Sequence, residues 1–162
     1  MNVEAPTTED LATLVDQWVR LAAEQRDHGS RLLADSNRGP IRETLARSVV
    51  TGNALVGRDD GGVVGFVTFE PDTGSYETDV TTGTVTNLFV RPDRRGEGVG
   101  SELLAAAERA LAEDGADAVS LEVLAGNEAA RRFYRREGYD SHRVTMTKPL
   151  ADESDTHSKD DR

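Results

Sequence analysis

With 162 residues, 36% of them apolar, the chain has the length of one domain and enough apolar side chains to build a core. It contains no cysteine, which removes disulfides, thiolate metal sites and a cysteine nucleophile. The net charge is −11 and the 19 basic residues include two lysines, Lys148 and Lys159, so no basic face is concentrated enough to neutralise nucleic-acid phosphates.

The first residues are acidic and polar, and no stretch approaches the roughly 18 apolar residues of a membrane span; a soluble cytoplasmic protein is expected. After a short strand at Asn2–Ala5, Thr7 or Thr8 offers an N-cap with Glu9 and Asp10 in the first turn. Leu11, Leu14, Val15, Trp18, Leu21 and Ala22 then mark the apolar face of a helix lasting to about Arg26. A polar, arginine-bearing stretch leads to Pro40, placed as the first residue of a second helix with Ile41, Leu45 and Val49. The pattern next switches to strands at Ala54–Arg58 and Val63–Glu70, joined by the turn Asp59-Asp60-Gly61-Gly62. Residues 71–83 form a long loop or a hairpin tip, in which Tyr76, Glu77 and Asp79 are either substrate contacts or a solvated turn.

From Val85 a β-branched and aromatic strand runs to Pro92 and is followed by an arginine-glycine turn. A helix then starts, with Val99, Leu103, Ala106, Ala107, Ala110 and Leu111 at spacings of three and four, and ends near Asp114 at Gly115. Three glycines within five residues let backbone approach a ligand, and the helix start favours an anion. No Lys-Ser or Lys-Thr follows the glycines, and the spacing is not that of a dinucleotide fold. A strand is expected at Val119–Leu124, a helix at Glu128–Glu137 closed by Gly138, and a last strand at Ser141–Lys148 carrying Val144 and Met146. Residues 1–150 read as one domain and 151–162 as an acidic disordered tail.

Arg95-Gly96-Glu97-Gly98-Val99-Gly100 resembles the acetyl-CoA motif of the GCN5-related N-acetyltransferase (GNAT) family: Gln or Arg, two residues, Gly, one residue, Gly or Ala. Asn127, Ala129, Ala130, Phe133-Tyr134 and Gly138-Tyr139 resemble that family's second block. The likeness is close over residues 83–148 and rests on element order before them. It implies an α/β fold with a mixed, mostly antiparallel sheet of six to seven strands and about four helices. It also implies acetyl transfer from acetyl-CoA, as cosubstrate, to a primary amine. The few lysines and dispersed acids resemble the proteome style of salt-loving archaea, so the acidity reads as halophilic adaptation, with steering of a cationic substrate as the alternative.

Position by position, the resemblance implies that backbone groups of Leu88, Phe89 and Val90 pair with the pantetheine arm. Gly96, Glu97, Gly98, Val99, Gly100 and Ser101 hold the pyrophosphate, and Asn127 bonds the cofactor. Arg94, Arg95, Arg131 and Arg135 are either phosphate contacts or a solvated face. In direct transfer an amine attacks the thioester and a thiolate leaves; Tyr134, a phenol of ordinary pKa about 10, suits a general acid, with a core aromatic beside Phe133 as the plain alternative. A backbone N–H near Leu88 or Phe89 is the expected oxyanion donor. Glu122, alternating against Val119, Leu121 and Val123, sits 12 residues before Tyr134 as in the branch resembling ribosomal-protein alanine acetyltransferases, and is the expected base. Glu70 and Glu77 are in reserve, and Asn87 is expected to fix a bulge or bind acceptor.

No metal site is expected, since His28, His142 and His157 do not cluster. The acceptor is a small-molecule amine or a protein N-terminus, with neither nucleic acid nor membrane as partner, and family habit admits a homodimer. The rival reading is a non-catalytic acyl-CoA-binding or regulatory module; a nucleotide-binding domain stands third.

Overall fold

Thr7 opens the first helix through a capping box: its Oγ1 accepts the Glu9 N–H at 3.3 Å while its own N–H donates to Asp10 Oδ2 at 2.9 Å. The computed structural model describes residues 1–72, 74 and 76–150, so the expected acidic tail lies outside the described residues. These fall into two units, Met1–Arg131 and the part from Arg132 onward.

In chain order the elements are β1 (Asn2–Glu4), α1 (Leu11–Arg26), α2 (Arg38–Thr51), β2 (Ala54–Asp59), β3 (Gly62–Glu70) and β4 (Thr82–Val90). They continue with α3 (Val99–Glu113), β5 (Ala118–Ser120) and α4 (Glu128–Arg136), which begins in the first unit and ends in the second. The four helices match the sequence expectation, with α2 starting two residues before Pro40.

The sheet runs β1-β2-β3-β4-β5, with the first three junctions antiparallel and β4–β5 parallel across the α3 connection. Leu11, Leu14, Val15, Trp18 and Ala22 of α1 and Leu45 of α2 pack with Val56, Phe66 and Phe89. Every residue from Val63 to Phe69 is buried, as in a central strand covered on both faces. α3 lies on β2, β3 and β4, burying Leu103, Leu104, Ala107 and Leu111. Glycine permits that closeness: a Cβ on Gly83 would stand 2.7 Å from Leu111 Cδ2, and one on Gly65 would overlap the Phe89 carbonyl oxygen.

Two strand expectations are corrected. Among the described residues the sheet has five strands, not six to seven: β5 stops at Ser120 instead of running to Leu124, and Ser141–Lys148 forms no strand. A two-residue period makes a strand only where a backbone ladder receives it. The ladder between β4 and β5 lasts from Thr82↔Ala118 to Thr84↔Ser120. Immediately beyond it β4 carries a bulge: Phe69 pairs with Val85 and Thr68 with Asn87, so Thr86 is the extra residue. The strands fork there. At the other expected strand, Val144 and Met146 are exposed and gain nothing from alternation.

Candidate functional site

Above the fork, the outer edge of β4 has no strand beside it among the described residues. The Arg91 N–H donates to Val64 O at 2.8 Å, and Val90 stands opposite Gly65 in the same register. In an antiparallel ladder the pairs alternate, so Phe89 spends its backbone groups on Phe66, whereas Leu88 and Val90 turn theirs to the open edge. One of those outward groups is occupied: Arg95 Nε donates to Val90 O at 2.8 Å.

The edge leads into the glycine turn. Gly96 and Gly98 hold φ of +80° and +88°, the left-handed region in which a side chain is strained, and no heavy atom lies within 4 Å of where a Cβ would stand on either. Gly98 is the N-cap of α3, and the first N–H groups of a helix have no acceptor within it. Val99 is buried at the foot of the helix, while Gly100 and Ser101 are half-buried in the first turn. The result is an open backbone surface of glycine at a helix N-terminus, suited to an anion.

The arginines of this turn are already paired. Arg94 bonds Asp59 of the β2–β3 hairpin and Glu97 at 3.0 Å, and Arg91 bonds Asp93 at 2.7 Å. Arg95 reaches Glu24 of α1 at 2.9 Å and stands 5.6 Å from the centre of the Phe89 ring. The Arg94 guanidinium holds the Asp59 carboxyl below the usual range, and Arg91 does the same to Asp93. Partners as distant in sequence as Asp59 and Glu24 left no local signal.

At the fork, Thr84, Val85, Thr86, Ser120 and Glu122 line a pocket of about 290 Å³. Glu122 therefore reaches the fork past the end of an edge strand and is exposed, not within the strand expected at Val119–Leu124. Hydroxyls make up much of the wall: Thr84 Oγ1 and Ser120 Oγ lie 3.3 Å apart, and Thr86 Oγ1 lies 2.6 Å from Thr68 Oγ1. Thr68 also accepts from Asn87 Nδ2 at 2.9 Å, so Asn87 fixes the bulge. Thr68 carries no functional expectation from the sequence, although it is the one polar side chain in the run Val63–Phe69. Glu70, held in reserve as a base, ends β3 exposed, and Glu77 is exposed in the loop before β4.

Asn127 starts α4, its Oδ1 accepting the Ala130 N–H at 3.2 Å; among the described residues its Nδ2 remains to donate. Arg131 Nη1 donates to Ala125 O at 3.1 Å. In the second unit, the half-buried Tyr134 ring meets Phe133 and Tyr139 edge-on, at 5.2 and 5.9 Å between centres. Burial pushes its phenol above the ordinary value, so it keeps its proton through the neutral range. Among the described residues no group of three metal-ligating side chains occurs, and no helix is long and apolar enough to cross a membrane.

Residues 14–139 match the acetyltransferase (GNAT) family. The chain is 36% identical over 127 residues to the mycothiol acetyltransferase of Clavibacter sepedonicus, covering 76% of this chain and 39% of that protein. It is 40% identical over 68 residues to the aminoalkylphosphonate N-acetyltransferase of Salmonella typhimurium, 42% of this chain and 44% of that one. It thus spans about two fifths of the length of both relatives. An aminoglycoside N-acetyltransferase solved in complex with CoA shares the fold, with a TM-score of 0.70, 15% identity, and coverage of 93% of this chain and 95% of that one. The open strand edge leading to a glycine turn, carried on a fold shared with a solved acetyltransferase, agrees with the family match over most of the length: this chain belongs to the acetyltransferase (GNAT) family.

Proposed function

We propose that residues 1–150 form one catalytic domain that moves an acetyl group from acetyl-CoA to a primary amine by direct attack in a ternary complex. The observation that carries this reading is the open β4 edge between the fork and the glycine turn. An extended amide-bearing arm with a thioester at one end and phosphates at the other matches that line of groups. The Leu88 carbonyl and the Val90 N–H pair with the pantetheine amides, and backbone N–H groups of residues 96–101 receive the pyrophosphate. Arg95 keeps the track bound to the turn, and Asn127 Nδ2 donates to the cofactor.

At the fork, Glu122 accepts a proton from the incoming ammonium, and the neutral amine attacks the thioester carbonyl. The Leu88 N–H, which faces the open edge, stabilises the oxyanion. As the tetrahedral species collapses, Tyr134 gives its proton to the departing sulfur, and the proton that the former amine nitrogen releases in becoming an amide replaces it on the phenol. The dispersed acids are an adaptation to high salt, and assays belong there.

Titration of CoA and acetyl-CoA by calorimetry, beside thiol release with a panel of amines, tests the reading. Binding together with amine-dependent release supports it; binding with no release on any amine points instead to an acyl-CoA-binding or regulatory module. Tyr134→Phe is expected to lower kcat about a hundredfold or more while CoA affinity stays within a few-fold. A folded Tyr134→Phe with unchanged kcat removes the phenol from the mechanism.

A further inference from the structure

Consecutive strand residues point to opposite faces, yet Thr86 and Asn87 both bring side chains to one atom, Thr68 Oγ1, at 2.6 and 2.9 Å. The bulge at Thr86 makes this convergence achievable, because its extra residue breaks the alternation. Thr68 stands directly across the ladder from Asn87 and is 2% exposed, so its hydroxyl is a buried polar group whose bonds are spent on the bulge. The Asn87 amide donates to it, and the Thr68 and Thr86 hydroxyls share one further bond.

The bulge separates two phases of β4. Below it, Thr82–Thr84 pair with β5; above it, Leu88 and Val90 turn their backbone groups to an edge without a strand. A strand that lost the extra residue would slip by one position, and every outward-facing group above would turn inward. We infer that Thr68 is a positioning residue: its hydroxyl holds the β4 bulge and thereby the Leu88 N–H in the orientation that acetyl transfer uses. This rests on the proposed acetyl transfer and adds a residue that touches neither thioester nor amine. Thr86 gives the latch its second consequence, since the side chain bonded to Thr68 also lines the pocket that holds Glu122.

Thr68→Val keeps the shape and β propensity of the residue while removing the hydroxyl, leaving the Asn87 amide and Thr86 hydroxyl without their shared partner. Thr68→Ser restores it. The test uses the full chain at high salt, with thiol release to give kcat and KM, calorimetry with CoA, and hydrogen exchange of peptides covering 84–90. For Thr68→Val the expectation is a kcat lowered about ten- to a hundredfold, CoA affinity within about threefold, and exchange over 84–90 faster by tenfold or more. Thr68→Ser is expected to return all three to within about threefold of the parent.

A folded Thr68→Val with parental kcat and parental exchange overturns the inference. So does a Thr68→Ser that is as impaired as Thr68→Val, because the hydroxyl would then not be the active feature. If the parent chain acetylates no amine, the proposed function fails separately, and the exchange arm alone decides: faster exchange in Val with recovery in Ser upholds the latch, and unchanged exchange removes it.

Discussion

The glycine turn and the fork bound the open stretch of one strand, β4, and they treat charge in opposite ways. At the turn, Arg91, Arg94 and Arg95 all meet carboxylates, from Asp93, from Asp59 and Glu97, and from Glu24. At the fork, hydroxyl meets hydroxyl, and among the described residues Glu122 has no ion pair. The contrast separates two tasks. A turn whose guanidinium groups are already neutralised offers an anion its backbone N–H groups and helix dipole first. A pocket with an uncompensated carboxylate attracts a cation, which is the resting form of a primary amine.

The largest expected effect lies at the fork. Glu122→Gln keeps the size of the side chain and removes the carboxylate proposed as the base, so kcat is expected to fall about a hundredfold or more with CoA affinity unchanged. Steady-state kinetics beside CoA calorimetry checks this. Were Glu122→Gln to keep its kcat while Glu70→Gln or Glu77→Gln lost it, the base would belong elsewhere and the contrast between the two ends would lose its chemical meaning. Next in size is a change at the turn. A β-branched residue at the +88° φ of Gly98 costs about 1–2 kcal/mol in backbone strain and covers the open backbone face of the turn. Gly98→Val is therefore expected to weaken CoA about tenfold or more, with a smaller loss of kcat at saturation and a lower melting temperature. The two variants should separate cleanly, one in kcat and the other in affinity.

Much of the turn was legible in the sequence, and much of the fork was not. The glycines of Gly96-Glu97-Gly98-Val99-Gly100, the spacing from Val99 to Leu111 and the Thr7 cap are local signals, and local signals survive in a linear reading. So does Asn127, expected as a cofactor ligand and found in the structure as the cap of α4. Strand identity is not local. The period of Val119, Leu121 and Val123 suggested a strand through Leu124, but its ladder ends at Ser120, where β4 bulges. The carboxylates that neutralise Arg94 and Arg95 come from Asp59 and Glu24, and only the fold brings them there. Thr68 stands out in the sequence as a polar residue in an apolar run, but its meeting with Thr86, and that of Thr84 with Ser120, draws on three strands that only the fold brings together.

A smaller effect tells apart two uses of Arg95. Its bonds go to Val90 O and Glu24, which makes it a brace between track and turn. Arg95→Met is expected to lower kcat/KM about three- to tenfold with acetyl-CoA and by the same factor with S-acetylpantetheine, which has no phosphate. A loss confined to acetyl-CoA would make Arg95 a phosphate ligand and would blur the neutralised character of the turn.

The smallest effect concerns Asp59, where the sign follows from its lowered pKa. Arg94 stabilises the ionised carboxyl in the folded chain, so this contribution is complete above the unfolded value of about 3.9 and is lost as pH falls through the lower folded value. Asp59→Asn keeps an oxygen for the Gly61 N–H, bonded at 2.8 Å, and removes only the charge facing Arg94. Above about pH 5 the variant should melt slightly below the parent by a constant margin, and the two should converge as the pH approaches about 2. Molar salt should narrow the margin at neutral pH, because both partners are within reach of solvent ions. A margin that persists unchanged at the acid end would mean that Asp59 acts through the shape of the hairpin, and that the turn is held by geometry more than by charge.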